Sequence, residues 1–311
     1  MFDVVCIGAA TEDIFFFSDK FEVSDKKLLL PWKEKFTAGG LERRLGGGAF
    51  NASVAFSRLG LKSAFFGRVG TDPAGRAIKE FLEKEHVSTK FLVSASEIKT
   101  STSMLLSSGG ERTIVMYRGE NDNLLEAKPD WDRVLNCRWI FLTDLAGTNN
   151  DLLFEIAKRT EQKGVKLAYV PGQKELQLGK DKLKPVLATA EILVLNSYEA
   201  ETILGEQKEV ERLLVEFKKF GVEFPVITVG QDGAYAYDGK KFYHQESIPK
   251  VTVVDRTGAG DAFSSTFSAG IILGKTISES LLLAAKNASS VITKIGGTDG
   301  LLTLQALKDF G

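Results

Sequence analysis

Histidine and cysteine are scarce in this chain. Its 311 residues hold two of each, His86 and His244, Cys6 and Cys137. Two cysteines build neither a disulfide framework nor a four-cysteine zinc site. Two histidines far apart in sequence leave little for a His-rich metal centre, and they disfavour Ser-His-Asp and Cys-His mechanisms. An excess of one charge is also missing. The 40 Lys+Arg nearly cancel the 41 Asp+Glu, giving a net charge of −1. That balance argues against a protein built to coat nucleic acid or an anionic membrane. No apolar run reaches the roughly 18 residues of a membrane span, and the start Met1–Gly8 lacks the features of a cleavable leader. These absences predict a cytoplasmic protein with reduced cysteines and neither nucleic-acid nor membrane partners. Cys6 then reads as a small core residue. Any enzymatic chemistry falls to carboxylates, backbone amides and a bound cation.

Glycine, by contrast, is plentiful, at 30 of 311 residues. Average usage is about 7%, and many of these glycines cluster where elements end, a placement that presents backbone amides to a ligand. Between them, β-rich runs alternate with helical patterns. Phe2–Gly8, Ser63–Val69, Trp139–Thr143, Lys166–Val170, Ile192–Leu195 and Pro225–Val229 read as strands. Phe50–Leu59, a segment from Pro73 to about Glu85, Asn150–Lys163, Glu199–Leu204 and Glu209–Phe220 read as helices, with Asp72 as N-cap before Pro73. The alternation predicts a mainly parallel sheet covered on both faces. Two stretches break the rhythm. Residues 14–45 carry Phe15-Phe16-Phe17, and Thr100–Arg118 alternates around Gly109-Gly110. Both read as short antiparallel strands, either a small sheet acting as a lid or an extension of the main sheet. Without repeats or a linker, the chain reads as one domain with an embedded lid.

Four segments invite chemistry. Val253–Phe263 runs from a β-branched stretch through Gly258-Ala259-Gly260 into a helix that begins near Asp261. Free N–H groups at a helix start hold an anion, and a carboxylate beside them suits a general base for an alcohol. The other reading is a tight turn capped by Asp261. Gly46-Gly47-Gly48 with Asn51 could line a polar ligand, or form a hinge with Asn51 as cap. Asn196 and Glu199 follow an apolar strand. They could hold waters of a hydrated Mg²⁺, or form an N-cap with a first-turn Glu. Thr228-Val229-Gly230-Gln231-Asp232-Gly233 could approach a nucleotide or make a hairpin turn. Gly270–Thr276 looks like a phosphate-binding Walker A loop but is one residue short, and Gly274 reads as a helix C-cap.

Together these motifs resemble the ribokinase-like, or PfkB, family of small-molecule kinases. The likeness covers essentially the whole chain. It rests on Gly46-Gly47 through Asn51 to Gly60 and Gly70, and on Asp255–Asp261 with Gly-Ala-Gly-Asp intact. The resemblance implies a three-layer α/β/α fold with a β-sheet lid, and ATP-dependent phosphorylation of an alcohol, a CH₂OH of a small sugar. It implies Asp261 as catalytic base and Gly258, Ala259 and Gly260 as anion hole. Asp13, Gly47 and Asn51 then bind substrate, and Asn196, Glu199, Thr228, Gly230 and Gly233 face the nucleotide, with Glu199 on Mg²⁺ through water. Asp255 and Thr257 match part of a K⁺ site that the Ile295–Gly300 loop would complete. Lid-to-lid contact would make a homodimer.

The departures bear on the acceptor. Arg256 stands where a small residue is usual, Thr11 where Asn is frequent, and Gly48 where ribokinases often carry Lys. Ala146 lies near a position where they carry a sugar-gripping acid. On the lid, Arg112, Tyr117 and Arg118 could reach a substrate or form a solvated strand face. The Phe15–Phe17 run could be lid core, a dimer contact or a nucleobase wall. A nucleoside kinase on the same fold is the near alternative, and a non-catalytic sugar- or nucleotide-binding regulator the distant one. Gly8-Ala9-Ala10-Thr11 lacks the glycines of a Rossmann oxidoreductase.

Overall fold

The structure, a computed structural model, describes residues 1–310 apart from 26, 97–98, 109–110, 120–123, 125 and 146–149. Its strands are β1 (Phe2–Ile7), β2 (Thr11–Phe17), β3 (Glu22–Ser24), β4 (Lys27–Leu29), β5 (Gly40–Gly46), β6 (Ser63–Gly70), β7 (Ser88–Ala95), β8 (Ser101–Ser108), β9 (Glu111–Tyr117), β10 (Cys137–Leu142), β11 (Lys166–Tyr169), β12 (Ala190–Asn196), β13 (Phe224–Thr228), β14 (Ala234–Tyr237) and β15 (Phe242–Gln245). Nine of them form one sheet in the order β15-β14-β13-β12-β11-β10-β1-β6-β7. The run from β7 to β13 is parallel, and β14 and β15 close the far edge antiparallel.

Alternation along the central strands explains the three layers. Val4 and Cys6 of β1 and Trp139 and Phe141 of β10 enter one core, with Phe56 and Phe267 from helices on that face. Val5, Ile7, Ile140 and Leu142 point the other way, onto Leu153, Leu187 and Phe217. A parallel sheet buried on both faces requires such near-continuous apolar strands. Both cysteines are free and buried in these cores. The expected helices are present: Gly48–Arg58, Pro73–Lys84, Asn150–Lys163, Ser197–Leu204 and Val210–Lys219. Asp72 accepts from the Gly75 N–H at 2.9 Å, the N-cap expected before Pro73. Gly274, with φ +77°, follows the end of the helix Ala259–Ile272, so the Walker-like segment is a helix exit.

A smaller sheet of β5-β2-β8-β9 stands apart from the main one. It corrects one expectation. β5 and β9 pair antiparallel with their neighbours, but β2 and β8 run parallel, from Thr11↔Ser101 to Phe17↔Ser107. The sheet also begins at Thr11, before residue 14. Parallel pairing arises because β6, β7 and the helix between them intervene between β2 and β8, so the chain returns in the same direction. Phe15 is fully buried and stacks on Phe17, while Phe16 and Phe17 stay half-buried, so Phe15 belongs to the core of the smaller sheet. The turn at Gly109-Gly110 lies outside the described residues.

Candidate functional site

The carboxyl ends of the parallel strands converge on the turn Asp255–Asp261. Asp255 anchors it. Its Oδ1 accepts from the Thr257 N–H at 3.1 Å and the Thr257 hydroxyl at 2.8 Å. Its Oδ2 accepts from the Gly296 N–H at 3.0 Å, which ties the turn to the C-terminal loop. The Arg112 guanidinium, from β9, lies 3.7 Å from Oδ1. The Asp255 carboxylate thus accepts three hydrogen bonds and has its charge balanced by Arg112.

Gly258 then turns the chain with φ +79° as N-cap of the helix Ala259–Ile272. A Cβ there would lie 2.4 Å from Gly297 Cα, so glycine is needed both for conformation and for space. The first-turn N–H groups of Gly260 and Asp261 donate to no described acceptor, whereas that of Ala259 reaches the Arg256 carbonyl at 3.4 Å. The helix start therefore offers open donors and its positive dipole end.

Asp261 does not cap this helix. Its Oδ2 accepts from Asn51 Nδ2 at 2.7 Å, and burial raises its pKa against the opposing effect of that hydrogen bond. Nor is Asn51 a cap: Gly47, with φ +102°, is the N-cap of the helix Gly48–Arg58. Asn51 Oδ1 is buried without a partner. Asp13 lies on the same side. The Thr11 hydroxyl donates to its Oδ1 at 3.0 Å, and desolvation raises its pKa, helped by the nearby Asp261 and Asp255 charges.

Two cavities meet at this turn. A pocket of about 170 Å³ is lined by Asp13, Gly47, Asn51, Arg118, Asp144, Thr257 and Asp261, with Leu105, Ile114 and Met116 on the side of the smaller sheet. A cleft of about 610 Å³ is lined by Thr228, Gly230, Gly233, Arg256, Ala259 and Gly260, among others. Thr257 and Asp261 face the first space, Ala259 and Gly260 the second. The turn is the partition between them.

The remaining expected residues divide. Arg118 reaches the small pocket and pairs with Asp144 at 3.4 Å. Tyr117 is exposed and does not line it, and Arg112 is turned to Asp255 instead. Thr228–Gly233 forms the β13–β14 turn, with Val229 N donating to Gly233 O at 2.8 Å, and also walls the large cleft. Asn196 and Glu199 form a capping box. Asn196 Oδ1 accepts from Glu199 N, and Glu199 Oε2 accepts from Asn196 N, each at 2.9 Å. They do not line the cleft, though Asn196 sits beside Thr228 in the sheet register. Desolvation raises the Glu199 pKa. Asp144 escaped sequence reading. Ala146 lies outside the described residues, but an acid stands two positions earlier, just past β10. Its place after a buried parallel strand is the signal that marks it.

The family model for the pfkB family of carbohydrate kinases matches residues 1–304. The chain belongs to this family. It is 28% identical to a sugar kinase of Archaeoglobus fulgidus over 80% of this chain and 98% of the relative. Arabidopsis thaliana ribokinase, solved with ribose and ATP, superposes with a TM-score of 0.83 at 23% identity, covering 99% of this chain and 98% of that one. A Burkholderia thailandensis nucleoside kinase, solved with inosine, superposes equally at 0.83 and 18% identity, over 98% and 96% of the two chains. Such identities establish the ribokinase fold and leave the acceptor open. The pfkB member described here is a kinase of the sugar and nucleoside class. Among the described residues no helix is long and apolar enough to cross a membrane.

Proposed function

We propose that this pfkB kinase transfers the γ-phosphate of ATP to a CH₂OH group of a small sugar, with Asp261 as general base. The observation that carries this reading is the placement of Asp261 and the helix start at the boundary of two cavities, one sized for a small polyol and one for a nucleotide. The acceptor sits in the small pocket, held by Asp13, Gly47, Asn51 and Arg118, with Asp144 beside Arg118. ATP occupies the large cleft along Thr228, Gly230 and Gly233. The acceptor oxygen forms a bond to the γ-phosphorus as the bond from phosphorus to the bridging oxygen breaks. The hydroxyl proton passes to Asp261, and ADP leaves with the electron pair. The N–H groups of the Gly258-Ala259-Gly260 turn hold charge developing on the phosphoryl oxygens. This chemistry needs positioning and fixed dipoles, not histidine or cysteine.

Mg²⁺ bound with the phosphates supplies charge neutralisation. Such ions are held mainly by phosphates and waters with few carboxylates, and Glu199 with Asn196 would hold its waters. The smaller sheet acts as a lid that excludes water within a single kinase domain. Its exposed Leu41, Val115 and Tyr117 support a homodimer formed through the lid. The composition supports a cytoplasmic setting with neither nucleic-acid nor membrane partners.

A nucleoside acceptor is the second reading, favoured by the apolar side of the small pocket at Leu105, Ile114 and Met116. ADP release with a panel of sugars and nucleosides separates the two, and product NMR assigns the hydroxyl. ATP binding without turnover on any panel member overturns the enzymatic reading.

A further inference from the structure

The two cavities carry opposite charge. Among the described residues the small pocket presents Asp13, Asp144 and Asp261 against one cation, Arg118, itself paired with Asp144. Among the described residues the large cleft has no acidic side chain in its lining, and it has two cations, Lys250 and Arg256. Arg256 is exposed, and its guanidinium pairs with no described side chain. Its neighbour Asp255 does not neutralise it, because that carboxylate is turned inward to Thr257, Gly296 and Arg112. Arg256 also lies three residues before the helix that begins at Ala259, on the wall it shares with Ala259 and Gly260.

We propose that Arg256 grips the terminal phosphates of the bound nucleotide and stabilises the phosphoryl group as it transfers. A free guanidinium next to a helix N-terminus matches a phosphate with two parallel N–H donors. It acts where negative charge spreads in the transition state. Arg112 makes this arrangement workable. By balancing Asp255 from the lid side, it leaves the positive charge of Arg256 directed to the cleft.

This assignment rests on the kinase reading, so its test uses nucleotides alone and needs no knowledge of the acceptor. Isothermal titration of the full chain with ATP, ADP and adenosine measures how much tighter the phosphates make binding. In wild type, ATP and ADP are expected to bind more tightly than adenosine. Arg256→Ala is expected to weaken ATP and ADP at least about tenfold, roughly one charge-assisted contact, while adenosine affinity stays the same. Arg256→Lys should recover part of the loss. Arg256 is exposed, so both variants are expected to fold, and thermal melting checks this. If wild type binds ATP but Arg256→Ala keeps the full preference for ATP over adenosine, the Arg256 assignment fails and the kinase reading stands. Equal weakening of all three ligands overturns it as well. If wild type binds no adenine nucleotide, the kinase reading itself falls.

Discussion

Asn51 Nδ2 donates to Asp261 Oδ2 at 2.7 Å across a sequence separation of 210 residues. One partner stands in the first turns of the helix that follows the glycine stretch, the other in the first turn of the helix Ala259–Ile272. The bond aims the carboxylate into the small pocket and opposes the rise in its pKa that burial imposes. Two glycines keep the surroundings close. A Cβ on Gly297 would lie 2.4 Å from Asn51 Nδ2, and one on Gly48 would lie 3.5 Å from Asp261 Oδ1.

Replacing Asp261 by Asn should abolish most turnover, by about 10²–10⁴-fold, the usual contribution of a general base. ATP affinity should change little, because the nucleotide cleft is unaltered. The stability effect has the opposite sign. A carboxylate whose folded pKa is raised favours its protonated form, so its stabilisation is complete below the unfolded pKa and is lost as pH rises through the folded value. At neutral pH the neutral amide removes that penalty, and the melting temperature of Asp261→Asn should rise. Near-normal turnover in a coupled ADP assay would remove Asp261 from the role of base.

The pH profile offers an independent check. A base must be deprotonated to act, and burial raises the pKa of Asp261. Activity should therefore fall on the acid side at a pH above the ordinary carboxylate range. Asn51→Leu removes the hydrogen bond that lowers this pKa, so the acid limb of kcat/KM should move to higher pH. A limb that stays in place while activity falls would limit Asn51 to holding substrate.

Gly258 and Gly260 should respond differently to alanine. At Gly258 the added Cβ meets Gly297 and the backbone has φ +79°, whereas at Gly260 no atom lies within 4 Å. Gly258→Ala should cost about 1–3 kcal/mol of stability as well as turnover. Gly260→Ala should melt near wild type but lose ATP affinity, because its methyl group enters the cleft. Equal melting temperatures for the two variants would show that the turn adapts.

The capping box separates structure from metal handling. Asn196→Ala should destabilise the fold by about 1 kcal/mol through loss of the cap. Glu199→Gln keeps an acceptor for the Asn196 N–H but removes the charge. It should melt like wild type while requiring more Mg²⁺ for half-maximal rate. Unchanged Mg²⁺ dependence would leave Glu199 with the cap alone.

Much of the frame was legible before any coordinates. Helix Asn150–Lys163 occurs with the predicted bounds, and the predicted strands shift by only one or two residues at their ends, because the apolar runs and caps that define them are local. The strand directions in the smaller sheet were not. Alternation at Thr100–Arg118 marks strands, but the parallel pairing of β2 with β8 depends on the path of the intervening β6, helix and β7. Asn196 and Glu199 show the reverse limit. Their spacing fits a capping box and a metal neighbour alike, and the structure displays the cap.

The sequence by itself determined the alternating strands and helices, the glycine turns and the stop signals, since these follow from local conformational preference and periodicity. Only the tertiary structure decided what meets at the site. It set Asn51 on Asp261, Arg112 on Asp255 and Arg118 on Asp144, and it left the Arg256 guanidinium facing the large cleft. The physical reason is that these relationships span distant segments brought together by burying both faces of one sheet. No local spacing encodes which distant side chain will neutralise, orient or desolvate another.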